Sequence, residues 1–175
     1  TVMARLLYSL YFNAAKDGAS ARNARKLSPS VSLSYRLLSD EDLYIRLSYK
    51  NIFRAPTFNE SYYFHYGSTD LKPETTDQLN LGLTWEHTYG RKSYFRLSAD
   101  GYINKVKDKI VAVPYNMFVW TNVNVGKVKG HGIETSATWN HRFTDRYAIL
   151  FSANYGWQRS ENRTNPESPY YGYQI

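Results

Sequence analysis

Apolar side chains recur at every second position in several stretches of this 175-residue chain, and no other feature constrains its fold more strongly. The clearest stretch sets Val31, Leu33, Tyr35 and Leu37 against serines and an arginine at the intervening positions. A period of two places successive side chains on opposite faces of a β-strand. The sequence therefore predicts an all-β protein whose strands each have one uncharged face.

The same alternation predicts about seven strands. Their apolar faces are formed by Ala4, Leu6, Tyr8, Leu10 and Phe12; Val31, Leu33, Tyr35 and Leu37; Leu43, Ile45, Leu47 and Tyr49; Leu79, Leu81, Leu83 and Trp85; Phe95, Leu97, Ala99, Gly101 and Ile103; Ile133, Thr135, Ala137 and Trp139; and Tyr147, Ile149, Phe151, Ala153, Tyr155 and Trp157. In the sixth strand, Lys127, Lys129 and His131 share the apolar parity. Either these three side chains project beyond a membrane, or Gly130 marks a β-bulge that resets the register.

The connections between the expected strands alternate in length. The long polar ones span 14–26, 51–78 and 105–125, and the short ones span 39–42, 87–92 and 141–146. Up-and-down membrane barrels have short periplasmic turns and longer outer loops, with aromatic girdles at both interfaces. We therefore predict an antiparallel up-and-down transmembrane β-barrel segment. The alternative is a soluble β-sandwich, binding carbohydrate or protein, whose aromatic residues form its core.

Composition excludes several other classes. The mean hydropathy is negative, and no run approaches the roughly 18 apolar residues of a membrane helix. The chain has no cysteine, which removes disulfide frameworks and cysteine metal sites, and its net charge of +7 is spread without a dense cluster, so we expect no nucleic-acid partner. Its four histidines show no ligand spacing, and catalytic motifs are missing. We expect no enzyme activity, catalytic residue, bound metal or cofactor.

Barrel closure indicates that these strands belong to a larger object. A sheet in lipid cannot leave strand edges unpaired, and bacterial single-chain barrels have even strand numbers. At the spacing seen here, a barrel of about 22 strands would need roughly 550 residues. Residues 1–175 are thus expected to be part of such a barrel.

Four short sequence motifs follow one another along the chain. They are Phe53-Arg54-Ala55-Pro56, then Leu71-Lys72-Pro73-Glu74, Tyr102-Ile103-Asn104-Lys105-Val106-Lys107-Asp108, and Asn124-Val125-Gly126-Lys127-Val128 leading to Gly132-Ile133-Glu134. This combination resembles the signature of TonB-dependent outer-membrane receptors, whose second box is usually preceded by Asn-Pro-Asp where this chain has Ser68-Thr69-Asp70. The resemblance covers about residues 27–158.

The resemblance implies an active transporter of the bacterial outer membrane, in contact with lipid. It implies uptake of a scarce bulky solute of the siderophore, cobalamin or haem class, driven by TonB acting on a plug domain. The plug domain, signal peptide and barrel C-terminus are expected to lie outside residues 1–175. A structural or adhesive outer-membrane barrel is the other alternative.

The 51–78 loop has the candidate site residues. Arg54, Pro56, Pro73 and Glu74 are expected to form its base, with Arg54 and Glu74 either ion-paired or separately solvated at the rim. The ligand-binding candidates are Arg54, Tyr62, Tyr63, His65, Tyr66 and, from the later long connection, Trp120. Large amphipathic rings suit a bulky ligand, and packing within the loop or anchoring in a girdle is the alternative. His65 lies between the two boxes, where the family's haem receptors have a histidine.

Overall fold

The computed structural model describes residues 1–14, 18–64 and 66–174. The strands are β1 (Val2–Tyr11), β2 (Ala24–Arg36), β3 (Asp42–Arg54), β4 (Glu74–Tyr89), β5 (Ser93–Pro114), β6 (Trp120–Arg142) and β7 (Ala148–Asn162), and a helix, α1 (Phe58–Tyr62), lies between β3 and β4. All seven strands form one antiparallel sheet in chain order. The predicted all-β up-and-down arrangement is confirmed. No helix among the described residues is long and apolar enough to cross a membrane.

Apolar side chains line up across the sheet because each pair of strands keeps a constant register. One cross-strand row consists of Leu33, Leu47, Leu81, Gly101, Ile133 and Trp157, each opposite the next. We call the face with this row the outer face and the opposite face the inner face. The alternation read from the sequence therefore becomes a continuous apolar surface.

The outer face has no protein cover within the described residues. Leu81 is 53% exposed and Ile133 is 50% exposed, although both lie in the middle of their strands. The buried apolar side chains of the described chain are Ala21, Leu71, Ile110 and Val128, outside the apolar rows of the sheet's centre. A soluble β-sandwich would bury such a face against a second sheet. The described residues form a single sheet with no second layer, so we expect lipid to cover this face.

Two of the predicted long connections are shorter than expected. The 51–78 loop is reduced to 55–73, because β3 continues to Arg54 and β4 begins at Glu74. The predicted loop over 105–125 is wrong, since β5 and β6 continue as a hairpin that turns at 115–119. Val111 and Val113 lie opposite Val123 and Thr121, and these β-branched residues extend the ladder in a stretch that the polar content had marked as loop.

Gly130 does not form a β-bulge. Ile103 lies opposite His131 and Lys105 lies opposite Lys129, so the register between β5 and β6 is the same on both sides of Gly130. Lys127, Lys129 and His131 consequently stay on the outer face. Of the two possibilities left by the sequence, the β-bulge is wrong, and projection of these side chains beyond the membrane stays a prediction.

The inner face is polar. Arg46 Nη2 on β3 is 3.0 Å from Asp100 Oδ1 on β5, with Gly82 of β4 between them. Gly132 leaves room for a ring, because an added Cβ there would lie 2.6 Å from the hydroxyl oxygen of Tyr102. Paired charges and close packing at glycines thus fill the face that points away from lipid.

Aromatic rings gather on the outer face near the short connections. The rings of Trp85 and Phe95 are 5.4 Å apart and edge to face, and Phe95 lies opposite Trp139. Tyr147 lies just before β7 and is exposed. This row occupies the position expected of a periplasmic girdle.

A charge in the middle of the outer face is expected to be much more costly than the same charge on the inner face. Leu81→Arg should lower the free energy of unfolding of the full-length barrel by about 2–4 kcal/mol, because the guanidinium would lie at the membrane midplane. Asn80→Arg places the same side chain on the inner face and should cost far less. Denaturant titrations in liposomes measure both, and equal losses would contradict the assigned faces.

Candidate functional site

The base of the loop 55–73 is an ion pair between the last residues of two strands. Arg54 ends β3 and lies opposite Glu74, which begins β4. Arg54 Nε donates to Glu74 Oε2 at 2.8 Å, so the predicted pair is present. Pro73 comes just before β4 and Pro56 shortly after β3. Neither proline can donate to a ladder, and the β3–β4 pairing accordingly ends at Arg54 and Glu74.

Glu60 adds a second carboxylate to the same guanidinium. Thr57 caps α1: its hydroxyl accepts from the Glu60 backbone N–H at 3.2 Å, and Glu60 Oε2 accepts from the Thr57 backbone N–H at 2.8 Å. This capping box turns the carboxylate back toward the strand end, where Glu60 Oε2 is 2.8 Å from Arg54 Nη1. Sequence reasoning missed Glu60, although the Thr-x-x-Glu spacing after Pro56 was a readable signal.

The loop 55–73 also bonds to the β5–β6 hairpin, near the end where the hairpin turns at 115–119. Glu74 Oε1 accepts from the Ile110 backbone N–H at 2.5 Å. The Asn122 side-chain amide donates to the Glu60 carbonyl at 3.2 Å, and the Asn122 backbone N–H donates to the Tyr66 carbonyl at 3.1 Å. Asn122 is buried. These bonds hold α1 and its following turn against the hairpin.

Asn124 binds the second sequence box from both sides. Its Oδ1 accepts from the Lys72 backbone N–H at 2.8 Å, and its Nδ2 donates to the Lys72 carbonyl at 2.9 Å. The same Nδ2 donates to the Asp108 carbonyl at 2.7 Å. The amide thus bonds Lys72 as a neighbouring strand would, and Leu71 beside it is only 4% exposed. Nothing in the sequence alone pointed to this partnership, because the residues are 52 positions apart.

The cluster is electrostatically favourable although it is partly buried. Burial acts to raise the pKa values of Glu60 and Glu74, but hydrogen bonds from Arg54 and from the Thr57 and Ile110 backbones outweigh it, so both pKa values lie below the usual range. The hydrogen bond to Glu74 raises the pKa of Arg54 further above its ordinary value. All three groups stay charged at neutral pH.

The predicted ligand-contacting tyrosines lie together but differ in their contacts. The Tyr62 hydroxyl accepts from the Ala21 backbone N–H at 2.7 Å, which joins the loop to the segment before β2. The rings of Tyr63 and Tyr66 lie 4.6 Å apart, and Tyr63 is exposed. His65, the predicted haem ligand, lies outside the described residues. Tyr62 therefore packs within the structure, whereas Tyr63 presents an open ring surface.

Trp120 lies elsewhere on the rim. It begins β6 opposite Pro114, next to the hairpin turn, and its side chain is exposed. Within the described chain it makes no ring contact with the three tyrosines. Tyr115, Met117 and Phe118 in the same turn are also exposed. The hairpin tip thus forms a second aromatic surface, two residues beyond the Asn122 contact.

Comparisons with known proteins agree with this architecture. The model of a family described as "TonB dependent receptor-like, beta-barrel" matches residues 7–175. The vitamin B12 transporter BtuB of Vibrio vulnificus (strain YJ016) is 33% identical over 89 residues, which are 49% of this chain and 13% of that protein. A solved structure, the copper transporter OprC, matches with a TM-score of 0.63 and 22% identity over 82% of this chain.

The chain spans only a small part of both relatives. It covers 13% of the vitamin B12 transporter and 22% of the copper transporter. At 22% identity, the second likeness shows the fold alone.

The Arg54–Glu74 pair should be energetically coupled. In a double-mutant cycle of Arg54→Ala and Glu74→Ala in the full-length protein, we expect a coupling of about 1–2 kcal/mol in the free energy of unfolding, since Arg54 remains 39% exposed. Urea titration of the four variants measures it. The control is the exposed pair Arg36–Asp42, 2.9 Å apart at the opposite end of the sheet, which should couple by about 0.5 kcal/mol or less. Equal coupling in the two cycles would refute the special role of the rim pair.

Acid should release the loop only below the ordinary glutamate pKa of 4.5. Because folding lowers both glutamate pKa values, their stabilisation is complete above 4.5 and is lost as pH falls through the lowered values. The chain has no cysteine, so a spin label at Asp70→Cys reports loop mobility from pH 7 downward. We expect a mobility transition below pH 4.5 that Glu60→Gln/Glu74→Gln abolishes. A transition at or above 4.5 in the parent protein would rule out this linkage.

Proposed function

This chain belongs to the family of TonB-dependent receptor β-barrels, and from that premise we propose that it forms part of a receptor that takes up a scarce bulky solute with TonB energy coupling. The family consists of receptors and transporters rather than enzymes, and its barrels lie in the outer membrane of Gram-negative bacteria. The outer face of the sheet therefore contacts outer-membrane lipid. Solute, plug domain and TonB are the parts of the proposal that extend beyond the described chain.

The rim cluster is the observation on which the proposal chiefly rests. Arg54, Glu60 and Glu74 fasten a loop with exposed aromatic rings to the strand ends at the side of the sheet opposite the short turns. Binding sites need side chains held by a rigid support, and rings such as Tyr63 and Tyr66 offer large contact area with little loss of conformational entropy. This arrangement suits a receptor that captures a large solute outside the cell.

The inner face supports a role for a plug domain. A concave region of about 550 Å³ on this face is bordered by charged and polar side chains, including Arg5, Arg46, Lys50, Asn80 and Asp100. Such a surface suits a polar protein domain or water, because transferring charged side chains from water to hydrocarbon is costly. We propose that residues 1–175 are a partial barrel that surrounds a plug encoded outside this segment and that TonB acts on that plug.

Cobalamin is the first solute to test among the siderophore, cobalamin and haem classes. The relative that is 33% identical over 89 residues is named a vitamin B12 transporter, which supports this choice. The ring surface of Tyr63 and Tyr66 suits the broad faces of a corrin or a porphyrin equally well. Haem coordination would in addition require an axial ligand such as His65 or a tyrosine.

Cells that express the full-length receptor, and lack any other cobalamin receptor, should bind radiolabelled cyanocobalamin at their surface and accumulate it only when TonB is present. Tyr63→Ala/Tyr66→Ala should weaken surface binding by about tenfold, as expected for the loss of two aromatic contacts. The control Tyr94→Ala, on the inner face near a short connection, should bind normally. Absence of binding would exclude cobalamin, and a Soret shift with haem that His65→Ala removes would identify haem instead.

A further inference from the structure

Four lysines lie on the outer face directly beyond the apolar band. On β5 the outward positions from Phe95 to Ile103 are uncharged, and Lys105 and Lys107 follow at the next two outward positions. Lys129 and Lys127 occupy the matching positions on β6. Nine residues are about the length that a tilted transmembrane strand needs, so these side chains lie at headgroup depth on the outer side. We call Lys105, Lys107, Lys127 and Lys129 the lysine patch.

The lysines of the patch oppose each other in pairs. Lys105 lies directly across from Lys129, and Lys107 directly across from Lys127. Like charges opposite each other on one face of a sheet are destabilising. None of the four lysines forms an ion pair within 4.0 Å with any residue in 1–14, 18–64 or 66–174. An external anion between the strands would remove this repulsion.

The neighbouring carboxylates on the same face already have partners. Asp77, opposite Lys105, accepts from the Tyr49 hydroxyl at 2.8 Å and from the Asn51 amide at 2.6 Å. Glu161, opposite Lys129, is ion-paired to Arg159 at 2.9 Å and to Arg163 at 2.5 Å. Two arginines thus join the four lysines, while the two carboxylates neutralise only part of this charge. The face keeps a net positive charge at this depth.

The patch borders a cavity rather than a flat surface. The four lysines, Arg163 and Tyr171 line an open concave region of about 450 Å³. Arg163 lies over the ring of Tyr171, 4.9 Å from its centroid, and its backbone N–H donates to the Lys127 carbonyl at 2.8 Å. This contact holds the segment after β7 against the hairpin and gives the basic surface a wall.

An apolar groove of about 740 Å³ begins where the patch ends. Its lining includes Leu81, Ile103, Ile133 and Trp157, with Gly101 among them and Lys129 shared with the basic cavity. Gly101 leaves space in the row, since even an added Cβ there would have its nearest neighbour 3.9 Å away. A basic cavity that continues into an apolar groove matches a molecule with an anionic head and acyl chains.

We propose that the lysine patch and this groove bind a phosphorylated lipid of the outer leaflet. The headgroup phosphates lie between the opposed lysines, where ammonium groups act as point charges toward phosphate oxygens. The acyl chains follow the groove past Ile133 and Trp157. The inference depends on the outer-membrane location and is independent of which solute the receptor transports.

Binding of lipid A with two phosphates to the purified full-length receptor in detergent tests the proposal. The variant Lys105→Gln/Lys107→Gln/Lys127→Gln/Lys129→Gln should bind this lipid about tenfold more weakly or worse, because four cationic contacts are lost. The control Arg91→Gln/Lys92→Gln/Arg142→Gln/Arg146→Gln removes the same charge near the short connections and should bind normally. Lipid A without phosphates should bind the parent receptor as weakly as lipid A binds the patch variant.

Thermal unfolding gives a second, independent readout of lipid binding, because a ligand that binds only the folded receptor raises its melting temperature. Lipid A should raise the melting temperature of the parent receptor and leave that of the patch variant unchanged. Without lipid, the patch variant should be at least as stable as the parent, because the opposed charges are gone. Replacing the four lysines by arginine should retain binding.

The competing source of phosphate is inorganic phosphate. If millimolar inorganic phosphate displaces lipid A or stabilises the receptor equally, the site is a free-anion site and the lipid proposal fails. Gly101→Leu, which fills the groove, should weaken lipid A binding without creating any response to phosphate. Unchanged lipid binding in the patch variant would also overturn the proposal. Failure of cobalamin uptake leaves these results unaffected.

Discussion

In the hydrocarbon core of a membrane, each backbone N–H and C=O must find its partner within the protein, because water is absent there. The continuous antiparallel ladders satisfy this requirement for β2 to β6, and the outer edges of β1 and β7 require further strands of a larger barrel. Once the ladder is fixed, the period of two decides which side chains meet lipid. Leu81 and Ile133 are exposed in the isolated sheet for this reason. The polar inner face and the position of the rim both follow from the same geometry.

The rim connects residues that are far apart in sequence and that carry the family signature. Arg54 from the first box and Glu74 from the second box close the end of the β3–β4 hairpin, and Glu60 joins them through the helix cap. Asn124 from the fourth motif bonds to Lys72 of the second box. The motifs thus meet in one hydrogen-bonded structure at the same end of four adjacent strands, β3 to β6. Their combination describes a folded rim more directly than it describes a solute.

The strand faces were predictable because alternation is a local property that each segment shows by itself. The Arg54–Glu74 contact was also predictable, since both residues flank one hairpin. Strand ends were not: Val111 and Val113 alternate within a stretch rich in lysine and asparagine, and only pairing with β6 shows that the ladder continues. The Asn124–Lys72 bonds depend on tertiary approach across 52 positions. The helix cap formed by Thr57 and Glu60 was local and readable from the sequence. The ion pair of Glu60 with Arg54 was not, because it depends on the path of the loop.

The β5–β6 hairpin has a mechanical consequence. Its ladder runs without a change of register from Ser93 to Pro114, and Asn122 and Asn124 fasten the loop 55–73 to its outer part. Loop and hairpin therefore move together, and displacing one requires breaking the bonds to the other. In the proposed uptake cycle, the loop 55–73 and the β5–β6 hairpin therefore act as one rigid unit, without a hinge between them. Conformational change during passage of the solute then belongs to other parts of the receptor.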